Sequence, residues 1–260
     1  MNILISRILL YMNSHALDND FSKIGAYIIE QYLQFEEITI KRLLEEVGCS
    51  RTTLQHFLTY FNYCEWANFK NELIANREKR QRQQELRFIN LDSNQYYDTL
   101  KYLVHDESFN VVEMREMVQL LVEDLHSSKR IHIFGAIYPL SLAVEFQTHM
   151  VSIGKPVIQW QNYNCFTHIN LDKEDFAFIF SASGRYITEC KQMFGDVYLS
   201  LAKKALVSQS HEYNHLDRIE YFMGFAETPD VFSYNHILIC VLEIIYIEYC
   251  LKYGYYCNQE

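Results

Sequence analysis

Two short stretches carry side chains whose types and spacing suit chemistry. The first is Ser50-Arg51-Thr52-Thr53-Leu54-Gln55-His56. Its polar members Ser50, Arg51, Thr52, Thr53, Gln55 and His56 are donors and acceptors of the kind that reach phosphate oxygens and base edges. The second is Ser181-Ala182-Ser183-Gly184-Arg185. Two hydroxyls, a glycine and an arginine at the expected start of a helix suit a phosphate: Ser181 and Ser183 would donate, Gly184 would let backbone approach, and Arg185 would add charge. The same spacing fits an ordinary strand–turn–helix connection with Ser183 as N-cap, and spacing alone favours that plainer reading. Gly135, in Gly135-Ala136-Ile137-Tyr138, opens a second loop of the same kind. No Walker pattern, no complete G-x-G-x-x-G and no G-x-S-x-G elbow occurs. His132 falls in an expected buried strand and reads as a satisfied core histidine. His211 and His215 share i, i+4 spacing but lie in no H-E-x-x-H pattern. No catalytic residue, metal site or cofactor is expected.

Local signals around the first stretch predict helices. Thr39 can cap a helix whose Ile40, Leu43, Leu44 and Val47 recur on one buried face, and Gly48 ends it. Ser50 caps the next helix, whose inward stripe is Leu54, Phe57, Leu58 and Phe61. Helix, tight turn and second helix with a polar N-terminal face match the geometry that enters a DNA major groove; a plain αα-hairpin has the same pattern. Helices are also predicted over 3–12 and 20–34, and Trp66, Phe69 and Leu73 begin another. The run Arg77-Glu78-Lys79-Arg80-Gln81-Arg82 has almost no apolar face and reads as a solvated helix or linker.

Beyond Asn94 the pattern changes. Two helices span 96–127, with a break near 106–110. Short buried strands follow at 131–136, 156–160, 177–181, 204–209 and 218–225. They alternate with helices at 139–153 and from Ile187, and a long apolar helix covers 232–253. This alternation implies a parallel, doubly wound sheet, with ligands expected beyond the carboxyl ends of the strands.

The net charge of −10 would oppose nucleic acid if it were spread evenly. It is not. Residues 1–90 hold 11 basic and 11 acidic residues, so the whole excess lies beyond them. Basic groups gather at Lys41/Arg42, Arg51, Lys70 and 77–82, and neutralising phosphates is a local matter. The 7 cysteines, at 49, 64, 165, 190, 240, 250 and 257, form no C-x-x-C, which suits reduced thiols in the cytoplasm. The opening MNILISRILLYM carries Arg7 and no cleavage site, and reads as an amphipathic helix. The run Ile237 to Tyr249 is interrupted by Glu243 and Glu248 and is short for a bilayer, so no membrane partner is expected.

The stretch TIKRLLEEVGCSRTTLQHFLTYFNYCEWANFK resembles the N-terminal signature of the RpiR family of bacterial transcriptional regulators. That signature runs I-x-x-L-A-x-x-x-G-V-S-x-A-T-V-x-R-F-x-x-x-L-G-F-x-x-F-x-x-F-K. Matching positions are Ile40, Leu43, Gly48, Ser50, Thr53, Phe57, Trp66, Phe69 and Lys70. His56 replaces the arginine, and Phe61-Asn62-Tyr63 replaces Leu-Gly-Phe. Residues 129–253 resemble the family's sugar isomerase (SIS) domain. There AFIFSASGRYITEC is similar to a third strand with its S-x-S-G-x-T phosphate loop, with Tyr186 in place of the threonine. The first loop reads G-A-I-Y-P against G-x-G-x-S, so a glycine and a serine are lost.

The resemblance implies an all-α helix-turn-helix domain over 1–77, a linker over 78–94 and an α/β SIS domain over 95–260. It implies a cytoplasmic, non-enzymatic regulator that binds a double-stranded, palindromic operator as a homodimer or higher homo-oligomer and senses a phosphosugar. Ser181, Ser183, Gly184, Arg185 and Gly135 would hold that effector. Two alternatives stand beside it: a SIS domain that has lost its ligand and only dimerises, and a sugar-phosphate isomerase.

Overall fold

The computed structural model describes all residues except 1–3, 89–91, 105, 107–108, 162–167, 226–230 and 255–260. Cys165, Cys257 and part of the expected break at 106–110 lie outside the described residues. The chain divides into two compact units, 1–90 with 148–156, and 91–147 with 157–260.

The first unit is built from helices. They are α1 (Leu4–Ser14), α2 (Asp20–Glu30), α3 (Ile40–Val47), α4 (Arg51–Tyr60) and α5 (Trp66–Phe88), with a 3-10 turn, Tyr32–Glu37, between α2 and α3. Each start has a local cause. Asn19 accepts from the Ser22 amide, Thr39 from the Arg42 amide and Ser50 from the Thr53 amide, each satisfying a donor with no partner inside its helix. Gly48 ends α3 in the left-handed region at φ 70°. Asn62, at φ 66°, ends α4. There the amides of Asn62 and Tyr63 bond back to the carbonyls of Thr59 and Leu58, the paired bonds of a Schellman turn. Asparagine tolerates that backbone, so no glycine is required at this position. Arg7 of α1 adds a bond from Nη2 to the Phe61 carbonyl, 3.0 Å.

The expected helix over 20–34 is instead two pieces. Gln31 leaves the helical region at φ −101°, ψ 14°, and the chain tightens into the 3-10 turn. Two α5 side chains seven residues apart hold that turn. Lys70 Nζ donates to the carbonyls of Glu36 (2.6 Å) and Ile38 (2.9 Å). Arg77 Nη1 donates to those of Tyr32 (3.2 Å) and Leu33 (2.6 Å), and its guanidinium also pairs with Glu36. Leu73 is buried beside them, and Phe57 meets Phe21 (5.5 Å) and Phe69 (5.9 Å) edge-on in the core. Helix α5 runs on to Phe88, through most of the stretch expected to be a linker.

The second unit begins with α6 (Ser93–Val104) and α7 (Val111–Ser127). Its sheet consists of β1 (Arg130–Gly135), β2 (Val157–Trp160), β3 (Asp175–Phe180), β4 (Lys203–Ser208) and β5 (Tyr221–Gly224). All pairs are parallel, in the order β2-β1-β3-β4-β5, so the strand order reverses between β1 and β3. The expected helix over 139–153 is α8 (Ile137–Leu142) and α9 (Val144–Ser152), broken at Ala143. Two more short helices, α10 (Arg185–Glu189) and α11 (Lys191–Leu199), follow β3. The last, α12 (Val231–Tyr253), lies against α6 and α7. Its stretch Tyr234–Tyr253 has the length and apolarity of a membrane span, beyond what the sequence suggested, but 72% of the window is buried in the protein. That is the environment of a core helix.

A polar chain crosses the first three strands. Trp160 Nε1 donates to His132 Nδ1 at 2.9 Å, His132 Nε2 lies 3.4 Å from Asp175, and Arg130 Nε donates to Asp175 at 3.1 Å. Burial alone would raise the Asp175 pKa. The His132 ring, the Asp172 amide and Arg130 outweigh it and hold the carboxyl at about 2. A depressed carboxylate stabilises the fold above its unfolded pKa, and that contribution is lost as pH falls through the folded one. The stability gap between wild type and Asp175→Asn should therefore shrink by about 2 kcal/mol from roughly pH 5 to pH 2. Urea titrations at several pH values measure it; a gap independent of pH would remove Asp175 from this role.

Candidate nucleic-acid interface and ligand loop

In the first unit, α4 presents Arg51, Thr52, Gln55 and His56 to solvent, while Leu54, Phe57 and Leu58 are buried. The expected outward face is therefore present, but its members differ in freedom. Ser50 is committed to the cap, 3.0 Å from the Thr53 amide, and its hydroxyl also lies 2.9 Å from the Thr53 hydroxyl. Gln55 Nε2 donates to the Cys64 carbonyl at 3.1 Å, which ties the helix to the turn that follows. Its Oε1 and the second N–H of the amide are left to face a ligand. Arg51 and His56 are exposed side chains on the same face.

Helix α3 is less buried than its apolar stripe suggested. Leu43 is fully covered, whereas Ile40, Leu44 and Val47 are half-exposed. Ile40 and Leu44 form the floor of a shallow groove of about 470 Å³ rimmed by Lys41, Glu45 and Arg51. Of the basic groups gathered in the sequence, Lys70 and Arg77 turn inward onto the 3-10 turn. Lys41, Arg42, Arg51, Lys79 and Arg82 remain exposed. Those inward destinations were hidden from the sequence because the acceptors lie 32 to 45 residues away.

In the second unit the two expected loops flank the reversal of strand order, the position where open parallel sheets take ligands. Gly135 ends β1 against β3, and a Cβ there would lie 2.9 Å from the Phe180 carbonyl. The glycine permits this close strand contact. Beside it, the Ser181 amide bonds to the Val207 carbonyl at 3.1 Å. The Ser181 side chain is buried, and its Oγ has no hydrogen-bond partner among the described residues. A hydroxyl left so costs about 1–3 kcal/mol, a cost that an oxygen of a water or ligand would relieve. Ser183 is exposed and accepts from Arg185 Nε at 3.3 Å. The N-cap of α10 is Gly184, at φ 77°, and not Ser183.

Tyr186 stands where the resembling family has threonine. It turns into the core with Phe134, Ile179 and Leu206, and its hydroxyl also lacks a partner among the described residues. Burial raises its pKa. The sequence reading missed Ser208, whose Oγ donates to the Ser181 carbonyl at 2.8 Å and accepts from the Ser210 amide at 3.1 Å. It also missed Tyr213, in the 3-10 turn His211–His215. The S-Q-S that begins at the last residue of β4, with one hydroxyl on each side of Gln209, was the available signal for Ser208.

No family model matches the chain, and no curated protein matches it. Among solved structures, similarity is found to the NanR protein of Vibrio vulnificus in complex with ManNAc-6P. The identity is 15%, covering 96% of this chain and 92% of that one, with a TM-score of 0.45. The sugar isomerase domain of the RpiR transcription factor from Sphaerobacter thermophilus aligns at 13% identity over 53% of this chain and 78% of that one, with a TM-score of 0.43.

Proposed function

We propose that this chain is a cytoplasmic DNA-binding regulator whose α/β unit pairs with a second copy and takes a phosphorylated sugar. The observation that carries the DNA part is the capped α3–Gly48–α4 unit, with Arg51 and His56 exposed on the N-terminal half of α4. That is the part of a recognition helix that meets base edges. Residues 1–77 are assigned to DNA, 78–94 to the connection and 95–260 to ligand and pairing. Two recognition helices related by a two-fold axis would read a palindrome with half-sites one helical turn, or a multiple, apart. The ligand part rests on the unpartnered Ser181 hydroxyl beside Gly135 at the reversal of strand order.

A reading in which the α/β unit only dimerises is favoured by one feature. Exposed Ile137 and Tyr138 form the first turn of α8, where the resembling loop would supply donors. A thermal-shift panel of sugar phosphates separates the two, since a bound ligand raises the melting temperature with concentration. For the DNA function, the full chain is used to select fragments from a random duplex library. Enrichment of one palindromic sequence is expected; a library unchanged after several rounds would contradict the proposal. Turnover of a phosphosugar by the purified chain would favour the isomerase alternative.

A further inference from the structure

The loop that carries Ser181 is not open on all sides. Its carbonyls at 181 and 182 are clamped by Ser208 Oγ and by the Gln209 amide, the latter at 2.9 Å from Ala182. The chain then turns through the 3-10 segment His211–His215 and brings Tyr213 back onto Gly184. The contact is close enough to fill the space over that glycine. A Cβ built on Gly184 would come within 2.8 Å of the ring atoms Cε2 and Cζ, and the hydroxyl lies nearer still. Gly184 is buried in consequence, although it is the residue whose bare backbone would let an anion approach. In the same loop the hydroxyl of Ser181, three residues before Gly184, is buried without a partner among the described residues. A loop with an unsatisfied hydroxyl and an aromatic ring packed over its glycine is a covered one.

We infer that Tyr213 is a stopper on the ligand loop, and that a phosphate-bearing ligand binds only after the phenol ring has turned off Gly184. The inference rests on the ligand reading proposed above and adds the residue that controls access. Only the open fraction of molecules binds, so the apparent affinity falls by that fraction. Tyr213 is half-buried on a short turn near the surface, where a ring can swing without unfolding a strand or long helix. Removing the ring would leave the chain permanently open. Removing only its hydroxyl would not, because the ring carbons already fill the space.

The test is calorimetric titration of the full chain with inorganic phosphate and with glucose 6-phosphate. Tyr213→Ala is expected to bind at least about tenfold more tightly than wild type, with Tyr213→Phe close to wild type. Adding Ser181→Ala to Tyr213→Ala should abolish the gain. If wild type binds and Tyr213→Ala binds no better, the stopper is overturned while the ligand reading stands. Loss of binding in Tyr213→Phe would make the phenol a donor, which also overturns it. If neither wild type nor Tyr213→Ala binds either probe, the ligand reading fails and the stopper with it. Should Tyr213→Ala not fold, nitration of wild-type Tyr213 mapped by mass spectrometry supplies the same answer. The rate should rise with added phosphate, and a rate that falls or stays level would contradict the inference.

Discussion

Replacing Arg77 with alanine is expected to lower the stability of the first unit by about 2–4 kcal/mol, because it strips the donors from buried carbonyls at about 1–3 kcal/mol each. The Arg77 side chain is 9% exposed and serves Tyr32, Leu33 and Glu36 together, three partners on this unit's 3-10 turn. Glu36 itself is 46% exposed, and its stranded charge would be solvated, which keeps the loss below that of a fully buried ion pair. Its pKa is lowered chiefly by the hydrogen bond from Arg77, so the variant should also bring Glu36 back towards the ordinary carboxylate range. Arg77→Lys should recover only part of the loss, since a single ammonium cannot span the fork that two carbonyls and a carboxylate require. Chemical denaturation followed by the fluorescence of Trp66, at the head of the same helix, measures the effect. Stability within about 0.5 kcal/mol of wild type would mean that water replaces the arginine and that the turn does not depend on it.

The second large effect concerns binding. Arg51→Ala with His56→Ala should weaken operator binding by about 2–6 kcal/mol, at about 1–3 kcal/mol for each lost base contact, without disturbing the fold. Both side chains are exposed and lie outside the cap and the aromatic core. Gln55→Ala is expected to act differently. Its amide nitrogen holds the Cys64 carbonyl, so the variant should loosen the turn after α4 as well as remove an acceptor, and some loss should appear in stability. A circular-dichroism melt run beside each titration separates the two contributions.

These expectations also show where a sequence is informative. Thr39, Gly48 and Ser50 are visible as caps because a cap is decided by a residue and its neighbours within one turn. The five strands stand out as apolar runs because a sheet covered on both faces leaves no polar alternation. What stays hidden is the destination of long polar side chains. Lys70 counts among the basic groups of the sequence and Arg77 opens a run that reads as a solvated helix or linker, yet both reach back 32 to 45 residues to backbone carbonyls. Charge counting cannot see such acceptors, since every peptide has a carbonyl. The ligand loop is split the same way. Ser181, Ser183 and Gly184 are local and were recognisable, whereas the ring of Tyr213 reaches Gly184 only through the pairing of β3 with β4.

The breaks at Gln31 and Ala143 are a related case. Periodicity continues across both, and neither residue is a helix breaker, so the pattern alone predicts one helix where there are two elements. At Gln31, the donors that make the tighter turn favourable come from α5.

The most direct test of the account is an anisotropy titration of the full chain against its selected palindromic duplex and a shuffled duplex of equal length, at about 0.15 M salt. Wild type should prefer the palindrome by roughly a thousandfold or more, and the Arg51→Ala, His56→Ala variant should lose most of that preference while retaining its weak, salt-sensitive affinity for both duplexes. Equal affinity of wild type for the two duplexes, or an unchanged preference in the variant, would contradict the assignment of α4 as the helix that reads DNA.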